Sequence, residues 1–181
     1  MNFISNFKFK IEDNQNRIKT RILDINDVRQ QGIVFYDEPE DEINKVLEIK
    51  IDESVIVNLY INGQSYGEND LAIKFLVSKE KILLAGKKRS CRINLSDGFI
   101  DNTFEHFLFW DFVLLDNGLI LEQGEVDCLL RDQDGVIIDY APVDPPYEVY
   151  YEEEGIKFES IVYGTTRLKY PKDHREGNSK K

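Results

Sequence analysis

Apolar residues recur at alternate positions through most of this chain, in short runs separated by turn-forming residues. Period-two alternation places one set of side chains on a buried face and the other in solvent, which is the signature of half-buried strands. FISNFKFKI (3–11) and RIKTRILDI (17–25) read as a hairpin broken at Asp13-Asn14, and GIVFY (32–36) as a further short strand. KVLEIKI (45–51) and SVIVNLYI (54–61) follow, the second closed by Asn62-Gly63, a strong turn signal. LAIKFLVSKEKILLAG (71–86) fits two periods. Leu71, Ile73, Phe75 and Val77 alternate as in a strand, while Leu71, Phe75, Ile82 and Leu83 share a helix face that Asn69 would cap. Two strands around Lys79-Glu80 are favoured.

The second half is more regular. RSCRINL, TFEHFLFWDFVLL, LILEQGEVDCLLRD and VIIDYA are punctuated by Asp97-Gly98, Asp116-Asn117-Gly118 and Gln133-Asp134-Gly135. Turn residues between apolar runs describe an antiparallel meander. Pro142, Pro145 and Pro146 end it, because proline lacks the donor that a central ladder needs. YEVYY (147–151) and IKFESIVYG (156–164) supply two more strands. The fold expected is mainly β, an antiparallel sandwich or curved open sheet with zero to two short helices. Residues 1–169 are expected to form a single β-rich domain, and 170–181, without an apolar pattern, a disordered basic tail. No repeat of 20–50 residues points to a solenoid.

Composition agrees with a folded domain: of 181 residues, 41% are hydrophobic and 12% aromatic, more than a disordered chain carries. The two cysteines, Cys91 and Cys128, sit in alternating segments and read as buried, reduced thiols. The N-terminus shows no apolar run of signal-peptide length, and no stretch reaches membrane-span length. A cytoplasmic location is therefore expected.

Charge changes the picture most. The formal net charge is −11, and residues 91–165 alone hold 17 acidic and 3 basic side chains, a net of −14. Residues 1–90 are near neutral at −1, and residues 166–181 carry +4. A negative field repels phosphate backbones and raises encounter rates with basic proteins in a salt-dependent way. Direct nucleic-acid binding is not expected.

Few motifs carry chemistry. GQSYG (63–67) satisfies G-x-S-x-G, with Ser65 as the nucleophile of a hydrolase. The chain lacks the strand–helix alternation of a hydrolase sheet, and the Asn62-Gly63 turn accounts for the same residues. DQDGVIID places Asp132, Asp134 and Asp139 around a turn, as a calcium loop would, but Leu130 stands where a first ligand belongs. The acid run DEPEDE (37–42) is a second place for calcium and reads as a charged loop. Two histidines and two cysteines have no metal-site spacing, so no metal and no cofactor are expected. His106 reads as a core-edge residue holding a hydrogen bond. GKKRSCR (86–92) reads as the flank of an edge strand. Acid pairs among Asp97, Asp101, Glu105 and Asp111 can be selected only by geometry.

The remaining feature is DYAPVDPPYEVYYEEEG (139–155). Tyr140, Tyr147, Tyr150 and Tyr151 are interleaved with Asp144, Glu148, Glu152, Glu153 and Glu154. Tyrosine gives large contact area at low entropic cost, and an acidic rim selects basic partners. These nine residues are the candidate partner-binding set. The expected function is a stoichiometric protein-binding or inhibitory protein, for instance an immunity protein that neutralises a basic, nucleic-acid-acting toxin. A structural or adhesion module of a phage or surface assembly is the alternative, and a hydrolase using Ser65 ranks third.

Overall fold

The computed structural model describes residues 10–11, 18–28, 32–51, 55–64, 71–76 and 80–172. The chain is mainly β: among the described residues, sixteen strands form four small sheets, and the helical content is two three-residue 3-10 turns, Ile25–Asp27 and Glu40–Glu42. No described helix is long and apolar enough to cross a membrane. The strands divide between two compact units, Met1–Glu105 and His106–Lys181.

In the first unit, β1 (Lys10–Ile11), β6 (Ala72–Phe75), β7 (Lys81–Ala85), β8 (Arg89–Asn94) and β9 (Ile100–Glu105) make one sheet in the order β1-β6-β7-β8-β9. β2 (Ile18–Asp24), β4 (Lys45–Ile51), β5 (Val55–Ile61) and β3 (Ile33–Tyr36) make another, in the order β2-β4-β5-β3. Alternate residues of facing strands meet in one core: Leu47, Ile49 and Ile51 of β4 and Val57, Leu59 and Ile61 of β5 pack with Ile82 and Leu84 of β7 and Ile93 of β8. This is the period-two pattern turned into packing. Ala72–Phe75 and Lys81–Ala85 do form two strands, with Ala72 opposite Ala85 and Phe75 opposite Ile82.

The N-terminal hairpin reading is corrected where it can be seen. Lys10 and Ile11 run parallel to β6, opposite Ala72 and Ile73, while β2 pairs with β4. β3 also runs parallel to β5. Alternation decides which face a strand buries and leaves its partner open, so non-local pairings were not legible.

The DEPEDE segment is a charged loop whose residues 39–42 are exposed and whose first two acids turn inward. Asp37 and Glu38 are buried, because Asp37 reaches the tight β7–β8 turn. Its carboxylate accepts backbone N–H groups from Lys87 (2.7 Å), Lys88 (3.0 Å) and Arg89 (2.8 Å). The Lys88 ammonium meets Glu38 at 2.7 Å. GKKR is thus a turn held by acids 50 residues upstream, rather than the flank of an edge strand.

The second unit contains β10 (Phe109–Leu114), β11 (Ile120–Gly124), β12 (Asp127–Arg131) and β13 (Ile137–Pro142) as a four-stranded antiparallel meander. β14 (Tyr147–Glu152), β15 (Gly155–Ser160) and β16 (Gly164–Lys169) form a three-stranded one. Leu119, Leu121, Cys128, Leu130 and Ala141 of the first sheet pack on Ile156, Phe158 and Leu168 of the second. The two sheets are tied along one seam by Trp110 stacked on Tyr147, with ring centroids 5.4 Å apart. Along the other, the Thr166 hydroxyl donates to the Pro142 carbonyl (2.8 Å) and Lys169 N–H to Asp139 (2.7 Å). TFEHFLFWDFVLL is therefore two strands, β9 and β10, interrupted at His106–Leu108.

Candidate functional site

Three features of the second unit bear on function: a buried charge cluster, an acidic tyrosine-bearing sheet face, and an apolar turn.

The charge cluster follows from strand parity. Leu121, Cys128 and Leu130 face the core, so Glu122, Asp127 and Arg131 lie on the opposite face of the same sheet, where they too are buried. His106 stands between them, its Nδ1 hydrogen-bonded to Asp127 and its Nε2 to Glu122. Arg131 Nε donates to the other oxygen of Glu122, and its guanidinium also reaches the Gly135 carbonyl at 2.9 Å. Burial works against charge on His106, but the carboxylates of Asp127 and Glu122 outweigh it and push the imidazole up to about 9. Burial likewise acts to raise Glu122, and Arg131 and His106 outweigh it, so its carboxyl is held below the usual range. Two cations thus face two carboxylates, a neutral cluster suited to structure rather than proton transfer, since every charge is already matched.

The cluster has a pH signature. His106 is near 9 in the folded chain against 6.5 for a free imidazole, so its protonation stabilises the fold. That contribution, about 3 kcal/mol, is whole below pH 6.5 and is lost as pH rises through 9. Unfolding monitored by Trp110 fluorescence between pH 7 and 10 should show this fall, and His106→Gln should flatten it. Equal slopes in the two proteins would show that His106 is not held charged.

Cys128 and Tyr147 are neighbours of the cluster, with Sγ and Oη 3.7 Å apart. Burial pushes the Cys128 thiol up to about 12, so it stays protonated and is a poor nucleophile. Both cysteines are buried thiols outside any disulfide.

The nine candidate binding residues are partly brought together. On β14, Glu148, Tyr150 and Glu152 share the outer face of the three-stranded sheet, and Tyr151, Glu153 and Glu154 are exposed at its far end. Cross-strand cations meet this row: Lys157 lies 4.2 Å from the Tyr150 ring centroid and 3.0 Å from Glu159, and Arg167 bonds Glu152 at 2.5 Å. The Tyr150 hydroxyl donates to Glu148. Tyr140 is exposed on β13, in the other sheet. Tyr147 serves the fold: half-buried, it stacks on Trp110, packs edge-on to Phe158 and donates to the Gly124 carbonyl at 3.1 Å. Asp144 also has a structural task, at the turn from β15 to β16. A shallow depression lined by Glu152–Glu154, Arg167 and Lys169 adjoins the face.

The apolar turn was not legible. IVYG reads as the end of a strand, yet β15 stops at Ser160 and Ile161, Val162 and Tyr163 form the turn to β16, 78%, 75% and 52% exposed. Asp144 accepts the backbone N–H groups of Val162 (3.0 Å) and Tyr163 (3.2 Å), and Gly164 follows at φ +63°. Side-chain capture of turn amides thus overrides the strand propensity of a β-branched pair.

The other motifs resolve locally. Asn62 accepts Gln64 N–H at 3.1 Å and Asn44 accepts Gly63 N–H at 2.9 Å, forming the turn; Ser65 lies outside the described residues. Asp132 accepts the amides of Asp134 (2.9 Å) and Val136 (2.8 Å), while Asp139 turns to Lys169, so the loop's carboxylates diverge. Among the described residues, no three His, Cys, Asp or Glu side chains gather as a metal site. In the first unit Asp101 pairs with Arg92 and Glu105 with Arg89, and Asp97 caps Phe99 N–H at 3.0 Å. In the second, Asp111 accepts Phe112 N–H at 2.9 Å.

No protein family and no curated protein matches the chain. Among solved structures, PorZ, an essential bacterial surface component of the type-IX secretion system of Porphyromonas gingivalis, is similar at 12% identity. That likeness covers 69% of this chain and 24% of PorZ, with a TM-score of 0.29. BamB from Moraxella catarrhalis is similar at 8% identity over 80% of this chain and 60% of that one, with a TM-score of 0.26. The chain thus spans less than two thirds of either protein, and likeness at this level carries no functional argument.

Proposed function

We propose that this chain is a stoichiometric protein-binding protein that meets a basic partner through the β14–β16 sheet of its second unit. The observation that supports this reading is the outer face of β14, where Glu148, Tyr150 and Glu152 stand in a row, with Tyr151, Glu153 and Glu154 exposed beside them. Residues 144–169 carry six acidic and three basic side chains, so the surroundings stay negative after the internal pairs are made. Tyrosines amid carboxylates give a surface with contact area and electrostatic selectivity. An inhibitory protein of the cytoplasm, such as an immunity protein against a basic toxin that acts on nucleic acid, is the specific form of this proposal.

Glu153 and Glu154 are the residues to change, because both are exposed at the end of this face, whereas Glu152 bonds Arg167 across the sheet. The partner is to be taken from the source cell by affinity capture, identified by mass spectrometry and purified. Association is then measured at several salt concentrations. Glu153→Lys with Glu154→Lys should lower the association rate about tenfold at low salt, with the difference shrinking at high salt. An unchanged rate, or defined self-oligomers in sedimentation with no foreign partner, would replace this reading by a structural module.

A further inference from the structure

We propose that Ile161, Val162 and Tyr163, at the tip of the β15–β16 hairpin, are the apolar anchor that seats this acidic face in a pocket of a basic protein. The inference rests on the reading above and adds to it the residues that hold the complex together.

Three consecutive large apolar side chains at 78%, 75% and 52% exposure contribute nothing to the unit's own core. Scattered exposed apolar residues are ordinary, but a contiguous group at one tip marks a contact site. Tyr140 of β13 is a further exposed aromatic of the same unit, at 48% exposure.

The tip is also fixed in shape. Asp144 holds the amides of Val162 and Tyr163, and Ser160 Oγ approaches the Gly164 carbonyl at 3.5 Å. At the base of β16, Thr166 is tied to Pro142. The Asp144 carboxyl is held below its ordinary range by Ser160 and these two amides, which together outweigh the effect of burial. A protruding group that is already ordered loses little entropy on binding, which is what an anchor requires.

The surroundings select the occupant. The two rungs beneath the tip are Ser160–Gly164 and Glu159–Thr165, and Glu148 of β14 stands opposite Glu159, so two carboxylates lie below it, with Asp144 at its side. An apolar centre with an acidic rim is the anatomy of a protein interface hot spot facing a basic rim. A second copy of this chain would set acidic rim against acidic rim. An anionic lipid surface would meet the same repulsion. A basic protein with an apolar pocket satisfies both halves of the site.

The test uses the full chain and the partner purified as above. Ile161→Ser with Val162→Ser should raise the dissociation rate about 30-fold or more while leaving the association rate within about threefold. Glu153→Lys with Glu154→Lys should do the reverse. Asp144→Ala, which frees the tip without removing its apolar groups, should fall between wild type and the double serine variant. An unchanged dissociation rate in the serine variant, with association still slowed by the lysine variant, would overturn the anchor and leave the binding face standing. A partner indifferent to both variants would overturn both. Sedimentation of the chain alone, and flotation with phosphatidylcholine–phosphatidylglycerol vesicles, complete the set. Self-association or vesicle binding that the serine variant abolishes would assign the tip to a second copy or to lipid, and the proposal would fail.

Discussion

Replacing Arg131 with alanine is expected to lower the stability of the second unit by about 4 kcal/mol, the cost of leaving a buried partner charge unmatched. Arg131 is fully buried, as is Glu122, whose second oxygen it holds. Without the guanidinium, Glu122 keeps one cation, His106, which already serves Asp127. The cluster then carries a net negative charge with no access to water, and the Gly135 carbonyl loses a donor as well. Removing both members of the pair should cost less than removing one. Glu122→Leu with Arg131→Leu leaves His106 and Asp127 matched and is expected to be more stable than Arg131→Ala alone. Urea unfolding followed by Trp110, the sole tryptophan and part of this unit, reads the difference directly. A loss below 1 kcal/mol for Arg131→Ala would mean that solvent reaches the cluster.

This cluster also shows what the sequence could and could not disclose. Turn chemistry was plain: Gly98, Gly118 and Gly135, each in a predicted turn, have φ of +73°, +81° and +80°, a backbone region that glycine enters without strain. Strands and their core faces followed from alternation, as with Leu47, Ile49 and Ile51. Buried charge did not. In LILEQGEVDCLLRD, Glu122 of β11 and Asp127 and Arg131 of β12 have the parity opposite to core-facing Leu121, Cys128 and Leu130, which in a one-sided sheet would be the solvent face. The unbroken runs LIL and CLL, in which Ile120 and Leu129 are buried on the same face as these charges, are the local sign of a second covered face; what stays hidden is their partner His106, 16 residues from Glu122 and 21 from Asp127.

The −14 of residues 91–165 includes Glu122 and Asp127, which are buried and neutralised within the cluster, and Asp101, which Arg92 takes up. Arg92 and Arg131 are already subtracted in that net, so only a protonated His106 lessens it, and the exposed carboxylates on β14 and its turn carry much of the field that a partner would feel. Of the nine residues singled out by composition, Tyr147 and Asp144 have tasks inside the fold, and Asp144 performs its task on the apolar tip that composition passed over. A run of Ile, Val and Tyr looks like a strand until the residue that captures its amides, 18 positions away, is known.

The same principle, a distant carboxylate completing a turn, gives the other large expected effect. Asp37→Ala should destabilise the first unit by about 4 kcal/mol, because three backbone donors at Lys87, Lys88 and Arg89 lose their acceptor together. The carboxyl also packs directly on the turn, so close to Gly86 that a Cβ there would overlap it. The carboxylate itself is held at a cost: burial pushes Asp37 up to about 6, and the three amides pull the other way. Asp37→Asn therefore removes an unfavourable buried charge while its remaining oxygen can serve two amides, leaving its NH2 group opposed to the third. Its loss should be about half that of alanine. Hydrogen exchange separates this account from a general loosening of the unit. In Asp37→Ala the amides of residues 87–89 should exchange much faster than those of β5, whose ladder to β4 is untouched. Uniform acceleration across both segments would show instead that Asp37 acts on the whole unit and not through this turn.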